Sequence, residues 1–297
     1  MLNVTISFAV IGCHGYIGSL LLKHLRKAYP ESTLLGVDIS SFPDKEINST
    51  LVHYFSTDSL SSIQWDLLSS RVHIIYCAVT SSHLLDPHQL NSGLLPDISS
   101  LALLLECLPH SIDFSFTYLS SSAVYGSKTG ILRESDELVP LNPYSLMKIQ
   151  SESIVQYMSR VRNIPSLIFR LFQSYSPHQN PVNLIGKLMY TLSHASSPVT
   201  LFKQGSQIRS FLYVDDLIEC LSVLPNHTSA KIYNIGSPEA VSIYNFASAI
   251  GANFVLAGDP DSSDIVLPDI SSFSSDFDWL PSVSLTTGSA MVRNFFS

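Results

Sequence analysis

The feature that most constrains this chain is the run Gly12-Cys13-His14-Gly15-Tyr16-Ile17-Gly18. It separates a short apolar run, Ser7–Ile11, from a segment, Ile17–Ala28, whose apolar residues recur at helical spacing. Three glycines between a buried strand and a helix permit a tight turn. They also let the backbone approach a pyrophosphate, which the unpaired N–H groups at a helix start attract. A glycine-rich turn also serves as an ordinary strand–helix connection, so its context decides. Asp38 closes the next strand-like run, Leu34–Val37, twenty residues after Gly18, where a carboxylate would hold a ribose 2′-hydroxyl. The combination predicts a dinucleotide site with Gly12, Gly15, Tyr16, Ile17, Gly18 and Asp38 in it. A carboxylate repels a 2′-phosphate, so NAD is expected rather than NADP. Asp58, just after the third apolar run, reads either as an adenine contact or as a solvated loop acid.

Strand-like and helix-length segments continue to alternate. Leu51–Phe55 and Val72–Val79 read as strands, Ser99–Leu108 as a helix, and Phe116–Ser120 as a strand. Tyr144–Arg160 reads as a long helix and Ser166–Leu171 as the next strand. This rhythm predicts an α/β fold, a Rossmann-type doubly wound parallel sheet with helices on both faces. After Phe172 the rhythm breaks into Pro-, Asn- and Ser-rich segments, and the stretch from Gly258 to Ser275 is acidic and turn-rich. Phe211–Val214 and Lys231–Ile235 are expected to return to the main sheet. The expected division is a nucleotide-binding domain of residues 1–172 and 208–236, with a smaller, C-terminal-weighted substrate lobe of residues 173–207 and 237–297.

Composition removes several classes. At 297 residues and 45% hydrophobic the chain can bury a large core, which excludes disorder. Mean hydropathy is +0.25, yet no apolar run reaches the ~18–20 residues needed to span a bilayer. A net charge of −8 supplies no basic footprint for nucleic acid. Cys13, Cys77, Cys107 and Cys220 are scattered without a C-x-x-C pair, so they read as small core residues of a reduced protein, with no zinc site or disulfide framework. The apolar stretch from Val4 to Leu22 mimics a signal peptide, but it lacks a charged leading region and is interrupted by glycines. A soluble, cytoplasmic protein is the expectation.

Two further constellations carry chemistry. Asn142-Pro143-Tyr144 has the form of a helix start, with asparagine as cap and proline at the first helical position. Lys148 follows Tyr144 by four residues, so both side chains project from one helix face. A neighbouring ammonium lowers a tyrosine pKa and makes the phenol a usable proton acceptor, although a surface Tyr/Lys pair has the same spacing. Upstream, Ser120-Ser121-Ser122 follows a strand, and in open parallel sheets the C-terminal strand ends line the ligand crevice. A serine there can hydrogen-bond a substrate hydroxyl; a polar turn is the plainer reading.

Taken together these segments resemble the extended short-chain dehydrogenase/reductase family, in its nucleotide-sugar epimerase/dehydratase branch, over about Val4 to Phe296. IGCHGYIG resembles TGxxGxIG with Ile11 for threonine, and SSSAVYG resembles SSxxVYG. PLNPYSLMKIQSE is similar to P-x-x-P-Y-x-x-x-K-x-x-x-E, FRLFQSYSP to RxFNVYGP, GSQIRSFLYVDDL to G-x-Q-x-R-D-F-x-Y-V-D-D, and YNIGSPEAVSI to YNxGxxxxxS. The resemblance implies Ser121, Tyr144 and Lys148 as the catalytic set and Ala78 as a further cofactor neighbour. It also implies Phe202 beside the nucleotide base, Asn183 and Arg209 at the diphosphate, and Gln173 near the sugar of a nucleotide-diphosphate sugar. Asp97 and Ser100 stand where Asn-x-x-Gly is common, and Ala257-Gly258-Asp259-Pro260 replaces the arginine-bearing R-P-G-D segment.

Family dehydratases carry Asp-Glu directly after the catalytic hydroxyl residue; Ser122 and Ala123 occupy those positions and cannot do that acid–base work. A 4-epimerase, which recycles its NAD, and a 4-ketoreductase, which consumes reduced cofactor, both remain, and Asp38 favours the first. A non-catalytic NAD sensor is the third reading, disfavoured by the retained Ser121, Tyr144 and Lys148. The resemblance also implies a homodimer through the segments Ser99–Leu108 and Tyr144–Arg160, whose Leu101, Leu104, Leu105, Leu108, Ile154, Val155 and Met158 exceed one core-facing stripe.

Overall fold

The computed structural model describes residues 6–39, 52–56, 60–79, 94–194, 197–261 and 263–297. Asp58 lies outside the described residues. In chain order the first elements are β1 (Ser7–Ile11), α1 (Tyr16–Ala28), β2 (Leu34–Asp38), β3 (Val52–Ser56), β4 (Arg71–Tyr76), α2 (Leu94–Cys107) and β5 (Asp113–Ser121). There follow β6 (Gly130–Leu132), α3 (Pro143–Arg162), β7 (Ser166–Leu171), β8 (Gln173–Tyr175), α4 (Leu184–Ser193), β9 (Val199–Phe202), β10 (Ile208–Arg209) and β11 (Phe211–Tyr213). The remainder comprises α5 (Val214–Leu221), β12 (Ala230–Ile235), β13 (Val241–Ser242), α6 (Ile243–Ile250), β14 (Phe254–Ala257), β15 (Ile265–Pro268), α7 (Ser271–Phe277) and α8 (Leu285–Phe296).

The chain packs as two compact units. The first comprises Met1–Gly126, Leu138–Arg170 and Leu221–Ile232; the second comprises Ser127–Glu137, Leu171–Cys220 and Tyr233–Ser297. The main sheet has seven strands in the order β12-β7-β5-β4-β1-β2-β3. Its β3–β2, β2–β1, β1–β4 and β4–β5 pairs run parallel. Every residue of β1 is buried, as expected of a central strand covered on both faces. The order reverses direction at β1, with β2 on one side and β4 on the other, which makes the ends of β1 and β4 a topological switch point.

The core of this unit joins Ile11, Val37, Ile74 and Phe116 of the sheet to Leu101, Leu104, Leu105 and Leu108 of the α2 segment and to Val155 of α3. Ile154 and Met158 pack against the same cluster. The helix leucines expected at a dimer contact are therefore spent inside their own subunit, because α2 packs on both the sheet and α3. His73 is wholly buried between strands; its ring nitrogens meet Ser115 Oγ at 2.7 Å and Thr117 Oγ1 at 3.0 Å. Burial holds its pKa down at about 3, so it is neutral in the folded protein.

The second unit contains a four-stranded sheet, β13-β10-β15-β6, and two small parallel pairs, β11–β8 and β14–β9. Two expectations are corrected here. Phe211–Tyr213 does not return to the main sheet but pairs with Gln173–Tyr175, while Ala230–Ile235 does join the sheet edge. The turn-rich stretch after Gly258 includes a strand, β15, and a helix, α7, whose Phe273 is fully buried. Among the cysteines, Cys13 and Cys220 are core residues, whereas Cys77 is half-buried and Cys107 exposed at the end of α2. Among the described residues no helix is long and apolar enough to cross a membrane.

Candidate active site

The glycine turn is built against the end of β4. Gly12 has φ +85°, and a Cβ there would lie 2.7 Å from the Ala78 Cα; a Cβ on Gly18 would strike the Gly12 carbonyl. The Gly12 and Cys13 N–H groups donate to the Val37 carbonyl at 2.7 and 3.2 Å. The His14 N–H donates to Asp38 Oδ2 at 2.9 Å, so the turn itself fixes the carboxylate that the sequence assigns to a ribose. Helix α1 follows with no acidic residue in its first turn, leaving its partial positive charge for an anion.

Gly12, Gly15, Tyr16, Ile17, Gly18, Asp38 and Ala78 line one cavity of about 610 Å3 together with Tyr76, Cys77, Asp97 and Ser100. Among the described residues, two carboxylates, Asp38 and Asp97, line it and no lysine or arginine does. A backbone cradle that only glycines permit and a carboxylate fixed at the end of β2 fit NAD.

The second group of residues lies in the same unit. Strand β5 ends at Ser121, whose Oγ accepts the Ala123 N–H at 3.2 Å as the chain enters a tight helical turn, Ser122–Tyr125. Helix α3 is started by a reciprocal cap: the Ser145 N–H donates to Asn142 Oδ1 at 2.8 Å and the Asn142 N–H to Ser145 Oγ at 3.2 Å, with Pro143 at the first position. Tyr144 follows in the first turn and Lys148 one turn later. Ser121 and Tyr144 share a side-chain hydrogen bond. Lys148 is 4% exposed; its Nζ donates to the Leu119 carbonyl at 2.7 Å and lies 4.8 Å from the Tyr118 ring and 5.8 Å from the Tyr144 ring.

Burial brings the Lys148 pKa down to about 8, against the opposing pull of Asp97, Cys77 and Glu152. Tyr144 departs from the sequence expectation. Its pKa is raised, first by burial and then by the Asp97 charge, with the Ser121 hydrogen bond acting the other way. Lys148, 5.8 Å from the ring, does not reverse this, because desolvation of the phenol dominates.

The motifs PLNPYSLMKIQSE and FRLFQSYSP contain the buried pair behind this site, but sequence reasoning gave neither of its residues a role. Glu152, on the helix of Tyr144 and Lys148, pairs with Arg170 at 2.8 Å, and Arg170 donates to the Tyr125 hydroxyl at 3.1 Å. Both charges are almost wholly buried. Arg170 inside the apolar run Leu167–Phe172 is a signal that could have found the pair, whereas Glu152 sits among polar neighbours and gives none.

In the second unit, Asn183 caps α4 by accepting the Gly186 N–H at 2.9 Å, and the next residue, Leu184, lines a cavity of about 730 Å3 with Phe202, Lys187, Tyr190 and Gln207. Phe202 is 68% exposed, an unusual state for a phenylalanine and suited to stacking on a flat ring. Arg209 is absent from that lining. Its guanidinium pairs with Asp264 at 2.8 Å and donates to the Ile208 and Asp264 carbonyls. Gln173 opens β8 beside Phe211.

A model of the NAD dependent epimerase/dehydratase family matches residues 8–236. A Bacillus subtilis (strain 168) protein named as an uncharacterized UDP-glucose epimerase, YtcB, is 34% identical over 158 residues, covering 52% of this chain and 49% of its own. Human dTDP-D-glucose 4,6-dehydratase is 34% identical over 137 residues, 46% of this chain and 39% of its own. The chain thus spans half or less of the length of these curated relatives. In fold it is similar to UDP-glucuronic acid 4-epimerase from Bacillus cereus in complex with UDP-glucuronic acid and NAD, with TM-score 0.80, 24% identity and 98% of each chain covered. It is also similar to UDP-N-acetylglucosamine 4-epimerase from Methanobrevibacter ruminantium M1, with TM-score 0.82 and 19% identity over 98% of this chain and 97% of the other.

Proposed function

The chain belongs to the NAD-dependent epimerase/dehydratase family, and within it we propose that it acts as a 4-epimerase on a nucleotide-diphosphate sugar. The observation that carries this reading is the turn after β5. Ser121 shares a hydrogen bond with Tyr144, while Ser122 and Ala123 supply neither the acid nor the base that eliminating water from a sugar requires. What the site retains is a proton relay for oxidising and reducing one hydroxyl.

In that relay Tyr144 takes the proton of the sugar C4 hydroxyl and later returns it, and Ser121 holds the hydroxyl oxygen. Lys148 supplies positive charge beneath both and holds the nicotinamide ribose. NAD, when bound, supplies the acceptor and later the donor of the C4 hydride. Asp38 and the glycine turn hold the dinucleotide, with Ala78 against it. We assign nucleotide-sugar recognition to the second unit, with Phe202 at the base, Asn183 and Arg209 at the diphosphate, and Gln173 toward the sugar. The homodimer is kept, but on different residues: Leu95 and Leu103 of α2 and Tyr157 and Val161 of α3 are the exposed apolar side chains of these two helices.

The test is direct. NAD-loaded protein is incubated separately with UDP-, dTDP- and GDP-hexoses, and products are resolved by chromatography and mass. Formation of a C4 epimer without added reductant supports the reading. Oxidation of added NADPH by a 4-keto-sugar nucleotide, with no epimer formed from the hexoses, makes the chain a reductase instead, and loss of water makes it a dehydratase.

A further inference from the structure

The cofactor cavity carries a carboxylate that the proton relay does not use. Asp97 lies in the first turn of α2, where the helix dipole favours a negative charge, and lines the cavity beside Tyr76, Cys77 and Ala78. Asp38 is held at the glycine turn, whereas the charge of Asp97 is felt at Tyr76, Tyr144 and Lys148. The two carboxylates therefore serve different parts of one cavity. The groups facing Lys148 are Tyr118, Tyr144, Cys77, Glu152 and Asp97. Of the two carboxylates among them, Glu152 is already neutralised by Arg170. Among the described residues that leaves Asp97, which lines the cavity, as the counter-charge to the Lys148 ammonium.

We infer that Asp97 sets the redox preference of the cofactor site, favouring the oxidised dinucleotide, whose nicotinamide ring is cationic, over the reduced one, whose ring is neutral. The inference rests on the reading that Tyr144 and Lys148 mark the nicotinamide end of the cavity. The physics is elementary. A lone lysine beside the ring would repel its positive charge and draw the cofactor toward the reduced form. A carboxylate within the same low-dielectric wall offsets that repulsion. A neutral amide in the same place, the residue common in the resembled family, would not supply this bias. The cost falls on Tyr144, whose phenolate the same carboxylate opposes.

The test uses the whole chain without any sugar nucleotide. Dissociation constants for NAD⁺ and NADH are measured by calorimetry near neutral pH for wild type, Asp97→Asn, Asp97→Ser, Asp97→Glu and Asp38→Asn. Both neutral variants at position 97 are expected to move the affinity ratio toward NADH by about ten- to a hundredfold, the size of one charge acting across several ångströms. Asp97→Glu keeps the wild-type preference, and Asp38→Asn weakens both forms alike, because the ribose carries no charge in either. A ratio in Asp97→Asn and Asp97→Ser within about twofold of wild type overturns the inference. So does an Asp38→Asn shift as large as theirs, or a wild type that binds neither form. If the ratio shifts as expected and no hexose is epimerised, the cofactor inference stands and the reaction assignment alone falls.

Discussion

Glu152 grips Arg170 through both carboxylate oxygens, at 3.1 Å from Nε to Oε1 and 2.8 Å from Nη2 to Oε2, and accepts the Ser120 hydroxyl at 2.5 Å as well. One carboxylate thus ties the helix of Tyr144 and Lys148 to the neighbour of Ser121 and to the last residue of the first unit's β7 portion. A buried pair of this kind is stabilising only while both members are present. Glu152→Gln leaves the guanidinium unpaired and is expected to lower unfolding free energy by about 3–5 kcal/mol in urea titrations. The double variant Glu152→Met/Arg170→Leu recovers part of that loss. An additive double-mutant cycle would show the two residues to be independent.

Tyr144→Phe should bind NAD and fold normally yet lose roughly 10²–10⁴-fold in turnover, the usual worth of a positioned acid–base group. Ser121→Ala should lose less, since water can take over its hydrogen bond. Lys148→Met should damage cofactor binding and rate together. Tyr144 must be deprotonated to take the proton and its pKa is raised, while Lys148 works in its charged form and has a pKa of about 8. Wild-type rate is therefore expected to rise with pH and to level or turn over above about pH 8. Full activity in Tyr144→Phe would remove the tyrosine from the mechanism.

Cofactor choice is read by titration. NADH should bind more tightly than NADPH by a factor set by about 1–3 kcal/mol, because the carboxylate fixed by the His14 N–H stands where a 2′-phosphate would go. Equal affinities would contradict the role of Asp38.

His73 makes stability depend on pH. Its folded pKa of about 3 lies below the ordinary 6.5, so the unfolded chain takes up a proton in that window and the folded chain does not. Stability is full above about pH 6.5 and declines as pH falls, by about 1.4 kcal/mol per unit for this one group. His73→Gln should flatten that slope between pH 6.5 and 5 while costing some stability outright. An unchanged slope would mean that other groups dominate.

Light scattering at micromolar concentration should give twice 32.7 kDa if α2 and α3 pair with a second copy, and Val161→Asp should reduce it to one. A monomeric mass for the wild type sets the dimer aside.

Much of the first unit was legible in the residues. Ser7–Ile11, the glycine turn and Asp38 are local signals, and a fully buried strand announces itself as an unbroken apolar run. The second unit was not. Gly130–Leu132, Ile208–Arg209 and Val241–Ser242 are two or three residues long, too short for any period, and their partners lie as far apart as Gly130 and Val266. Phe211–Tyr213 was sent to the wrong sheet for the same reason. The α2 leucines misled differently: periodicity counts apolar residues on a helix but cannot say how many neighbours will cover them. Ser121, Tyr144 and Lys148 were visible as spaced residue types. The raised Tyr144 pKa was not, because desolvation depends on everything packed around the phenol.

The pairing of Arg209 with Asp264 bears on how a charged substrate arrives. Lys203 is also engaged, by Asp261 at 2.9 Å and Asp264 at 3.2 Å. A diphosphate reaching Arg209 must therefore replace a carboxylate that is already there, and the chain as a whole carries −8. Such an exchange offers little long-range attraction, so added salt, which ordinarily slows the capture of an anion by a bare cation, should leave the association rate of the nucleotide sugar nearly flat or raise it slightly by screening the protein's own negative field.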